Sequence, residues 1–212
     1  MIFECYPSPS MDENAYVVLD EDTGDCLVVD PGEPDSPAVA RAAALGRVKY
    51  ILLSHGHFDH ILGAAACKRK TGALLMIHAA DAGMLSSPEA SLCARFCGAG
   101  RQEPVSPDAT LSGGEELPFG ERVVHVIHTP GHTPGSVCYR IGDRLMTGDT
   151  LFRGSVGRTD FEGGSMAQMR ASLRKLTALP DDLLLLPGHG PQTTLAREKA
   201  ENPYVADLTP LE

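Results

Sequence analysis

The sequence contains no apolar run long enough to cross a lipid bilayer. Its best stretches, residues 73–77 and 182–187, have the length of a β-strand, whereas a membrane-spanning helix needs about 20 apolar residues. The start of the chain, Met1-Ile2-Phe3-Glu4-Cys5, also lacks the basic and apolar segments of a secretory signal. We therefore expect a cytoplasmic protein without a membrane partner.

Positive charge is scarce as well. The chain has 18 Lys and Arg against 28 Asp and Glu, which gives a formal net charge of −10 at pH 7. Proteins that bind nucleic acids usually present a net positive face to the phosphates. This composition therefore argues against a nucleic-acid partner, and bound divalent cations would offset part of the negative charge.

Two common catalytic motifs are absent, and the cysteines form no framework. There is neither a Gly-x-Ser-x-Gly nucleophile elbow nor a Gly-x-x-x-x-Gly-Lys phosphate loop. Cys93 and Cys97 lie one helical turn apart, and we interpret them as small buried apolar residues rather than as a redox or metal pair. The spacing of all six cysteines lacks a disulfide pattern and fits a reducing compartment: Cys5, Cys26, Cys67, Cys93, Cys97 and Cys138.

Length and composition predict a single domain over residues 1–212, since 42% hydrophobic content is ordinary for a globular protein. Residue patterns predict strands at 15–19, 26–29, 48–53, 73–77, 121–128, 136–141, 145–146 and 182–186. They predict helices at 37–45, from about 61 to 70, at 165–179 and from 193 or 194 to just before 203. Residues 79–118 are expected to form short helices around 82 and 91–97, followed by a loop. Such alternation suggests packed sheets with helices outside.

The most informative stretch is Ser54-His55-Gly56-His57-Phe58-Asp59-His60. It lies between a predicted buried strand and a predicted helix. In an extended turn His55 and His57 point the same way, and Asp59 and His60 fall on the next turn. Neutral imidazole and ionised carboxylate are the usual ligands of zinc-like ions. The spacing therefore suits two neighbouring metal ions.

Three further loops at the ends of predicted strands carry the same residue types, and loops at one edge of a rigid sheet are where sites are built. Counting donors gives one ion His55, His57 and His132, and the other Asp59, His60 and His189. Asp149 is left to bridge the two ions. Each ion then keeps an open position, which is typical of catalytic rather than structural sites.

Four other residues have simpler interpretations. Asp30 is either a turn residue or the partner of a metal-bound histidine, and the turn is the simpler of the two. We interpret His78, His125 and His128, which lie within or at the ends of predicted strands, as structural residues.

The seven donors in this order resemble the metallo-β-lactamase superfamily over the whole chain. The resemblance implies an α+β fold, an αββα sandwich, with a dinuclear metal site at one edge of the two sheets. It implies the same ligand assignment and makes Asp59 catalytic, because Asp59 also orients a hydroxide held between the ions. In the segment Val29-Asp30-Pro31-Gly32 it assigns Asp30 to the support of a ligand histidine.

Subgroup features narrow the resemblance. Asp149 stands where true metallo-β-lactamases carry cysteine, which counts against antibiotic hydrolysis. His57 stands where flavodiiron proteins usually carry glutamate, which counts against that redox branch. Residues 129–136 and 148–152 look like those of glyoxalase II-like hydrolases, and 154–165 is similar to the short bacterial type without the helical glutathione-binding domain. The resemblance implies hydrolysis of a glutathione thioester, S-lactoylglutathione foremost, to glutathione and a hydroxy acid by attack of the metal-held hydroxide.

Without that extra domain, loops must recognise glutathione, and Arg153 and Arg158 are our candidates to bind its carboxylates. An ion pair between Arg158 and Asp160 is the alternative for that arginine. The expected cofactors are two divalent metal ions, zinc first, with iron or manganese as alternatives. The expected assembly is a monomer or small homo-oligomer.

The rival function is that of a mononuclear iron persulfide dioxygenase oxidising glutathione persulfide. These enzymes share the fold and a similar element at residues 157–160. Their last strand usually leads into a Pro-Ala-His-Asp-Tyr type of sequence, whereas this chain has Pro187-Gly188-His189-Gly190. The difference favours the hydrolase.

Overall fold

The computed structural model describes residues 1–206 and Leu208. Its first sheet has six strands in the order β1 to β6, antiparallel from β1 to β3 and parallel from β3 to β6. These strands are β1 (Ile2–Pro7), β2 (Asn14–Leu19), β3 (Cys26–Val29), β4 (Val48–Leu52), β5 (Leu74–His78) and β6 (Ala109–Leu111).

The second sheet also has six strands, which follow in the chain after β6. They are β7 (Glu116–Phe119), β8 (Arg122–His128), β9 (Val137–Ile141), β10 (Arg144–Gly148), β13 (Leu184–Pro187) and β14 (Thr193–Thr194), and a two-stranded ribbon of β11 (Leu151–Phe152) and β12 (Ser155–Val156) precedes β13. The sheet order is β14-β13-β10-β9-β8-β7, with β10 and β13 parallel.

Helices pack on the outer face of each sheet, and two short ones lie at one edge of the sandwich. The helices are α1 (Pro37–Leu45), α2 (Phe58–Ile61), α3 (Ala64–Thr71), α4 (Cys93–Phe96), α5 (Met166–Thr177), α6 (Leu195–Glu201) and α7 (Pro203–Ala206), with 3-10 turns at Ala79–Leu85 and Ala99–Arg101. In the described part of the chain, no helix has the length and apolarity that a membrane span requires.

The strands bury alternate residues on opposite faces, as the pleat requires. On β2, Tyr16 and Val18 pack between the two sheets, while Val17 faces α1 and α3. A third apolar cluster joins α5 and α6 to the outer face of the second sheet, with Leu173 and Leu195 among its members. The predicted αββα sandwich is therefore confirmed.

Three local predictions need correction. The region predicted as a loop contains β6 and β7; β7 includes Pro118, which an edge strand tolerates because one side of its backbone needs no partner. The single helix predicted from about 61 to 70 is divided between α2 and α3. The Gly63 N–H donates to the Pro31 carbonyl at 2.7 Å and interrupts the helix there. Met166, predicted to lie on the apolar face of α5, is 39% exposed.

Candidate metal centre

The histidine-rich segment lies where β4 leaves the first sheet, and the second sheet fixes its start. The Tyr139 hydroxyl donates to the Leu53 carbonyl at 2.7 Å, and the Val137 N–H donates to the Ser54 carbonyl at 2.8 Å. Helix α2 begins at Phe58, so its first turn includes Asp59. The segment is thus held in place by both sheets before its first ligand-type side chain.

The structure brings all seven predicted donors together at one edge of the paired sheets. Their ligand atoms form three groups in each of which all atoms lie within 4.8 Å of one another: His55, His57 and His132; Asp59, His60 and His189; and His55, His60 and Asp149. The first two groups are those that donor counting assigned to separate ions. The roles of these residues as ligands remain a prediction.

Asp149 lies between the two main groups. Its Oδ1 is 3.4 Å from His60 Nε2, and its Oδ2 is 3.5 Å from His132 Nε2. Strand β10 ends in Gly148, whose φ of +46° suits glycine, and a Cβ there would lie 2.5 Å from Ser54 Oγ. This turn directs the carboxylate of Asp149 between the groups, as the bridging role requires.

Asp30 supports the site from behind. Its Oδ1 accepts from the Ser54 N–H at 2.7 Å, and its Oδ2 accepts from the Ser54 hydroxyl at 2.6 Å and lies 3.0 Å from His60 Nδ1. Its φ of +51° is left-handed, so Asp30 is a turn residue and a histidine partner at once. Because Nδ1–H donates to Asp30, Nε2 is the His60 nitrogen that faces the centre.

Two backbone carbonyls orient other histidines in the same way. His132 Nδ1 donates to the Arg158 carbonyl at 2.7 Å, and His189 Nδ1 donates to the Asp12 carbonyl at 2.8 Å. Asp12 has a φ of +56°, which turns the β1–β2 loop towards the centre. Sequence reasoning missed both contacts, because any residue type carries a carbonyl.

The electrostatics of the centre suit bound cations. Burial lowers the pKa of His55 well below its ordinary value, and burial together with His132 lowers the pKa of His57 to about 3, so both imidazoles are neutral at pH 7. Burial alone would raise the pKa of Asp149, but His60, His132 and His189 lower it, and the carboxylate is ionised. Neutral imidazoles and ionised carboxylates are the protonation states in which these side chains bind metals.

Unsatisfied polar atoms support the fit to metal ions. His55 Nε2 and Asp149 Oδ1 are both buried and have no hydrogen-bond partner within the described residues. A buried polar atom without a partner costs about 1–3 kcal/mol. Both atoms belong to the donor groups, so a cation would satisfy them.

Asp81 is a further residue of the site that the sequence did not indicate. This fully buried carboxylate accepts hydrogen bonds from the N–H groups of Gly56 and Gly135, at 3.0 and 2.7 Å, and from the Thr133 hydroxyl at 2.6 Å. Gly56 lies between His55 and His57, whereas Thr133 follows His132. Asp81 therefore ties together the two loops that supply the first donor group.

A cavity of about 380 Å³ opens beside the metal groups. Its wall includes Phe58, Phe96, Phe152 and Phe161, and Arg158 lies at its edge. The predicted alternative for Arg158 is present, since Nε and Nη2 both bind Asp160 at 2.7 Å and the guanidinium lies 3.9 Å above the Phe161 ring.

The remaining residues of interest lie outside this wall. Arg153 is exposed in the turn between β11 and β12, and its substrate role remains a prediction. His78 and His128 stack on each other with ring centroids 4.1 Å apart, and His125 pairs with Glu116 at 3.3 Å. These contacts agree with the structural roles that the sequence predicts for the three histidines.

Comparison with known proteins identifies the family. The sequence profile of the metallo-beta-lactamase superfamily matches residues 11–189. The chain belongs to the metallo-beta-lactamase superfamily. It is 36% identical to an uncharacterized protein of Mycobacterium leprae, covering 98% of this chain and 100% of that one. It is 34% identical to the probable metallo-hydrolase YqgX of Bacillus subtilis, covering 94% of this chain and 95% of that one. It is 31% identical to the hydroxyacylglutathione hydrolase GloC of Haemophilus influenzae, covering 97% of this chain and 98% of that one.

Solved structures agree with this membership. The structure of this chain matches that of BLEG-1, a B3 metallo-beta-lactamase, with a TM-score of 0.87 and 33% identity, covering 96% of this chain and 99% of that one. TTHA1623 in a di-iron-bound form matches with a TM-score of 0.83 and 35% identity, covering 96% and 100%. Together with the donor groups, these likenesses indicate a metal-dependent hydrolase.

Proposed function

We propose that the chain hydrolyses a glutathione thioester, S-lactoylglutathione foremost, with two divalent metal ions in the reducing cytoplasm. The observation that carries the proposal is the pair of three-donor groups joined by Asp149 at the floor of an open cavity. The likeness to GloC, a hydroxyacylglutathione hydrolase, supports the substrate class. The likeness to a di-iron-bound protein supports a site for two ions and leaves iron beside zinc as a candidate metal.

His55, His57 and His132 would hold one ion, Asp59, His60 and His189 would hold the other, and Asp149 would bind both. Bound divalent ions supply Lewis acidity and lower the pKa of coordinated water towards about 7. The orienting contacts of Asp30, Arg158 and Asp12 fix which nitrogen of three histidines faces the ions.

Asp59 is the residue that positions the attacking water. Burial alone would raise its pKa, but His60 and the hydrogen-bonded His189 lower it, so the carboxylate is ionised and accepts a hydrogen bond. The water oxygen adds to the acyl carbon, the carbon–sulfur bond breaks, and one water proton passes to the leaving thiolate. A thiol has a pKa of about 8.5, so this leaving group needs little assistance from an acid.

The cavity wall suits a thioester whose carrier bears carboxylates. Aromatic rings line the part next to the metal groups, and Arg158 stands at the edge. Asp160 occupies Nε and Nη2 of Arg158, and Nη1 has no acceptor among residues 1–206 and Leu208. A planar guanidinium carries five N–H donors, so it can bind a second carboxylate while it keeps the first.

The test compares two thioesters of the same acyl group. Turnover of S-lactoylglutathione is measured by thiol release and compared with that of the lactoyl thioester of N-acetylcysteamine, which has no carboxylate. We expect Arg158→Gln to lower kcat/KM about fivefold for the glutathione thioester, because an exposed charge pair contributes about 1 kcal/mol. The kcat/KM for the thioester without a carboxylate should be unchanged.

Arg153→Gln tests the other candidate arginine, and we expect a smaller loss there because its exposed side chain lies outside the cavity wall. A carboxylate-specific loss in Arg153→Gln alone would move glutathione recognition to the β11–β12 turn. Absence of thioester turnover in the metal-replete enzyme would refute the substrate. Oxygen uptake with glutathione persulfide would then favour the dioxygenase.

A second candidate is β-lactam hydrolysis: the likeness to BLEG-1, a B3 metallo-beta-lactamase, favours it, and Asp149 in the place where true metallo-β-lactamases carry cysteine counts against it. Opening a β-lactam also requires attack of a metal-activated water on a carbonyl, so the same donor groups would serve. A chromogenic cephalosporin assayed in parallel separates the two. A kcat/KM for the cephalosporin above that for S-lactoylglutathione would make the lactam the better substrate.

A further inference from the structure

Two thiols outside the metal centre lie in contact at the start and just past the end of the one-turn helix α4. The Sγ atoms of Cys93 and Cys97 are 3.2 Å apart, and the Cys97 N–H donates to the Cys93 carbonyl at 2.9 Å. Residues four apart on a helix have Cα atoms about 6 Å apart, which is within the range that a disulfide bridges. Closing to the S–S bond length of about 2.05 Å requires the sulfurs to approach by about 1.2 Å.

The two thiols differ in accessibility. Cys93 is fully buried, as predicted, whereas Cys97 is partly exposed, so the interpretation of both as buried apolar residues was wrong for Cys97. Cys97 lines a surface cavity of about 270 Å³ that also includes Phe58, Asp59 and Arg101. Cys97 is therefore the thiol of the pair that a small molecule can approach from the surface, and Arg101, which lines the same cavity, provides a positive charge for an anionic one.

We propose that Cys93 and Cys97 are a modification site that reacts with low-molecular-weight disulfides to form an intramolecular disulfide. The Cys97 thiolate attacks one sulfur of the small disulfide, forms a mixed disulfide and releases one thiolate. The Cys93 sulfur then attacks Cys97 Sγ, and its proton passes to the second small thiolate as that thiolate leaves. The protein loses two hydrogens, and the small disulfide is reduced to two thiols.

The order of attack follows from the environment of each sulfur. Burial raises the pKa of Cys93 to about 12, and Cys97 adds to this shift, while Arg101 opposes it. The buried thiol is therefore a poor first nucleophile. Once Cys97 is in the mixed disulfide, the electrophilic sulfur is held next to Cys93, so intramolecular attack replaces a second encounter.

The modification would reach the active-site cavity through Phe96. This residue lies between the two cysteines on α4, is 50% exposed and lines the cavity beside the metal groups, where its ring stacks on Phe58 at 5.7 Å. Drawing the two sulfurs together changes the last turn of α4 and hence the position of this ring.

Trypsin reports the cross-link directly. Arg95 lies between the cysteines, so digestion places Cys93 in the peptide 71–95 and Cys97 in 96–101, with no other cysteine in either. The intact, metal-replete protein is incubated with oxidised glutathione, its free thiols are blocked, and the digest is analysed without reduction by mass spectrometry. We expect the two peptides to be joined in the wild type and separated after reduction.

Variants distinguish the steps. Cys93→Ser should stop at the mixed disulfide and carry glutathione on Cys97, and Cys97→Ser should leave Cys93 unmodified. Cys5, also partly exposed, has no cysteine partner within the described residues and serves as the internal control that stops at the mixed disulfide. The proposal would be overturned if the wild type, with Cys5 reacted, gave the peptides 71–95 and 96–101 separately, each with its thiol blocked. It would also be overturned if the wild type retained glutathione on Cys97.

A second readout rests on the proposed hydrolase function. We expect oxidation to change KM for the thioester and to leave kcat unchanged, because Phe96 lines the cavity and is not one of the seven predicted ligands. Cys93→Ser with Cys97→Ser should abolish the response. A cross-linked protein without thioester turnover would refute the substrate and leave the modification site intact. A cross-link that changes kcat and not KM would refute the route through Phe96.

Discussion

Asp81→Asn is the substitution that tests how the two histidine loops are held together. The wild-type carboxylate accepts three hydrogen bonds, from Gly56, Thr133 and Gly135, at distances of 2.6–3.0 Å in a fully buried position. An asparagine of the same shape offers one oxygen and one NH₂ group, which cannot accept. At least one of the three donors therefore loses its acceptor.

The magnitude follows from the cost of an unsatisfied buried donor, which is about 1–3 kcal/mol. We expect the free energy of unfolding of the metal-free protein to fall by that amount, which is a large share of the 5–15 kcal/mol typical of a domain. The loops that Asp81 joins carry His55, His57 and His132. We therefore expect zinc affinity to fall about 10–100-fold, as for other residues that orient metal ligands from behind.

Two measurements separate the roles. Urea denaturation of the metal-free protein gives the stability, and competition with a chromogenic chelator gives the zinc affinity. Asp108→Asn is the matched control, because Asp108 also accepts a backbone N–H, from Leu75 at 2.9 Å, but is partly exposed and lies outside the site. An Asp81→Asn protein that loses stability while keeping wild-type zinc affinity would refute the positioning of the loops by Asp81.

Three further substitutions have defined outcomes. Asp30→Asn weakens the hydrogen bond that orients His60, and chelator competition should show a loss of zinc affinity of about 10–100-fold; an unchanged affinity would contradict this support. Tyr139→Phe leaves the buried Leu53 carbonyl without its donor, so urea denaturation should show a loss of about 1–3 kcal/mol, and equal stability would show that the bond contributes nothing net. His78→Ala should leave kcat/KM unchanged in the thioester assay, since His78 stacks outside the site; a collapse of activity would place His78 in the catalytic machinery.

The fold could be predicted from the sequence where local signals agree with the tertiary structure. Helix α1 is an example, since Ser36 caps it, Pro37 begins it and Gly46 follows its end with a left-handed φ of 75°. Strands β6 and β7 gave no such signal. Strand β6 has three residues, of which only Leu111 is buried, and pairing with β5 defines it; nothing local in the sequence encodes that pairing.

The candidate site divides in the same way. The seven donors could be identified because His and Asp at such spacing are unusual outside metal sites, and the structure brings them together. Their orientation could not be predicted, because two of the orienting groups are the carbonyls of Asp12 and Arg158, which carry no side-chain signature. Asp81 was hidden for a related reason, since only its tertiary contacts with Gly56, Thr133 and Gly135 distinguish it from an ordinary aspartate at the start of a helical turn.

The central claim is a site for two metal ions that share Asp149. Metal content per chain, measured by elemental analysis on protein dialysed after exposure to zinc, tests it most directly in the wild type and in Asp149→Ala. We expect two ions per chain in the wild type and a loss of bound metal in the variant, with both proteins folded. One ion per chain in the wild type, or two ions retained in Asp149→Ala, would contradict the shared dinuclear site.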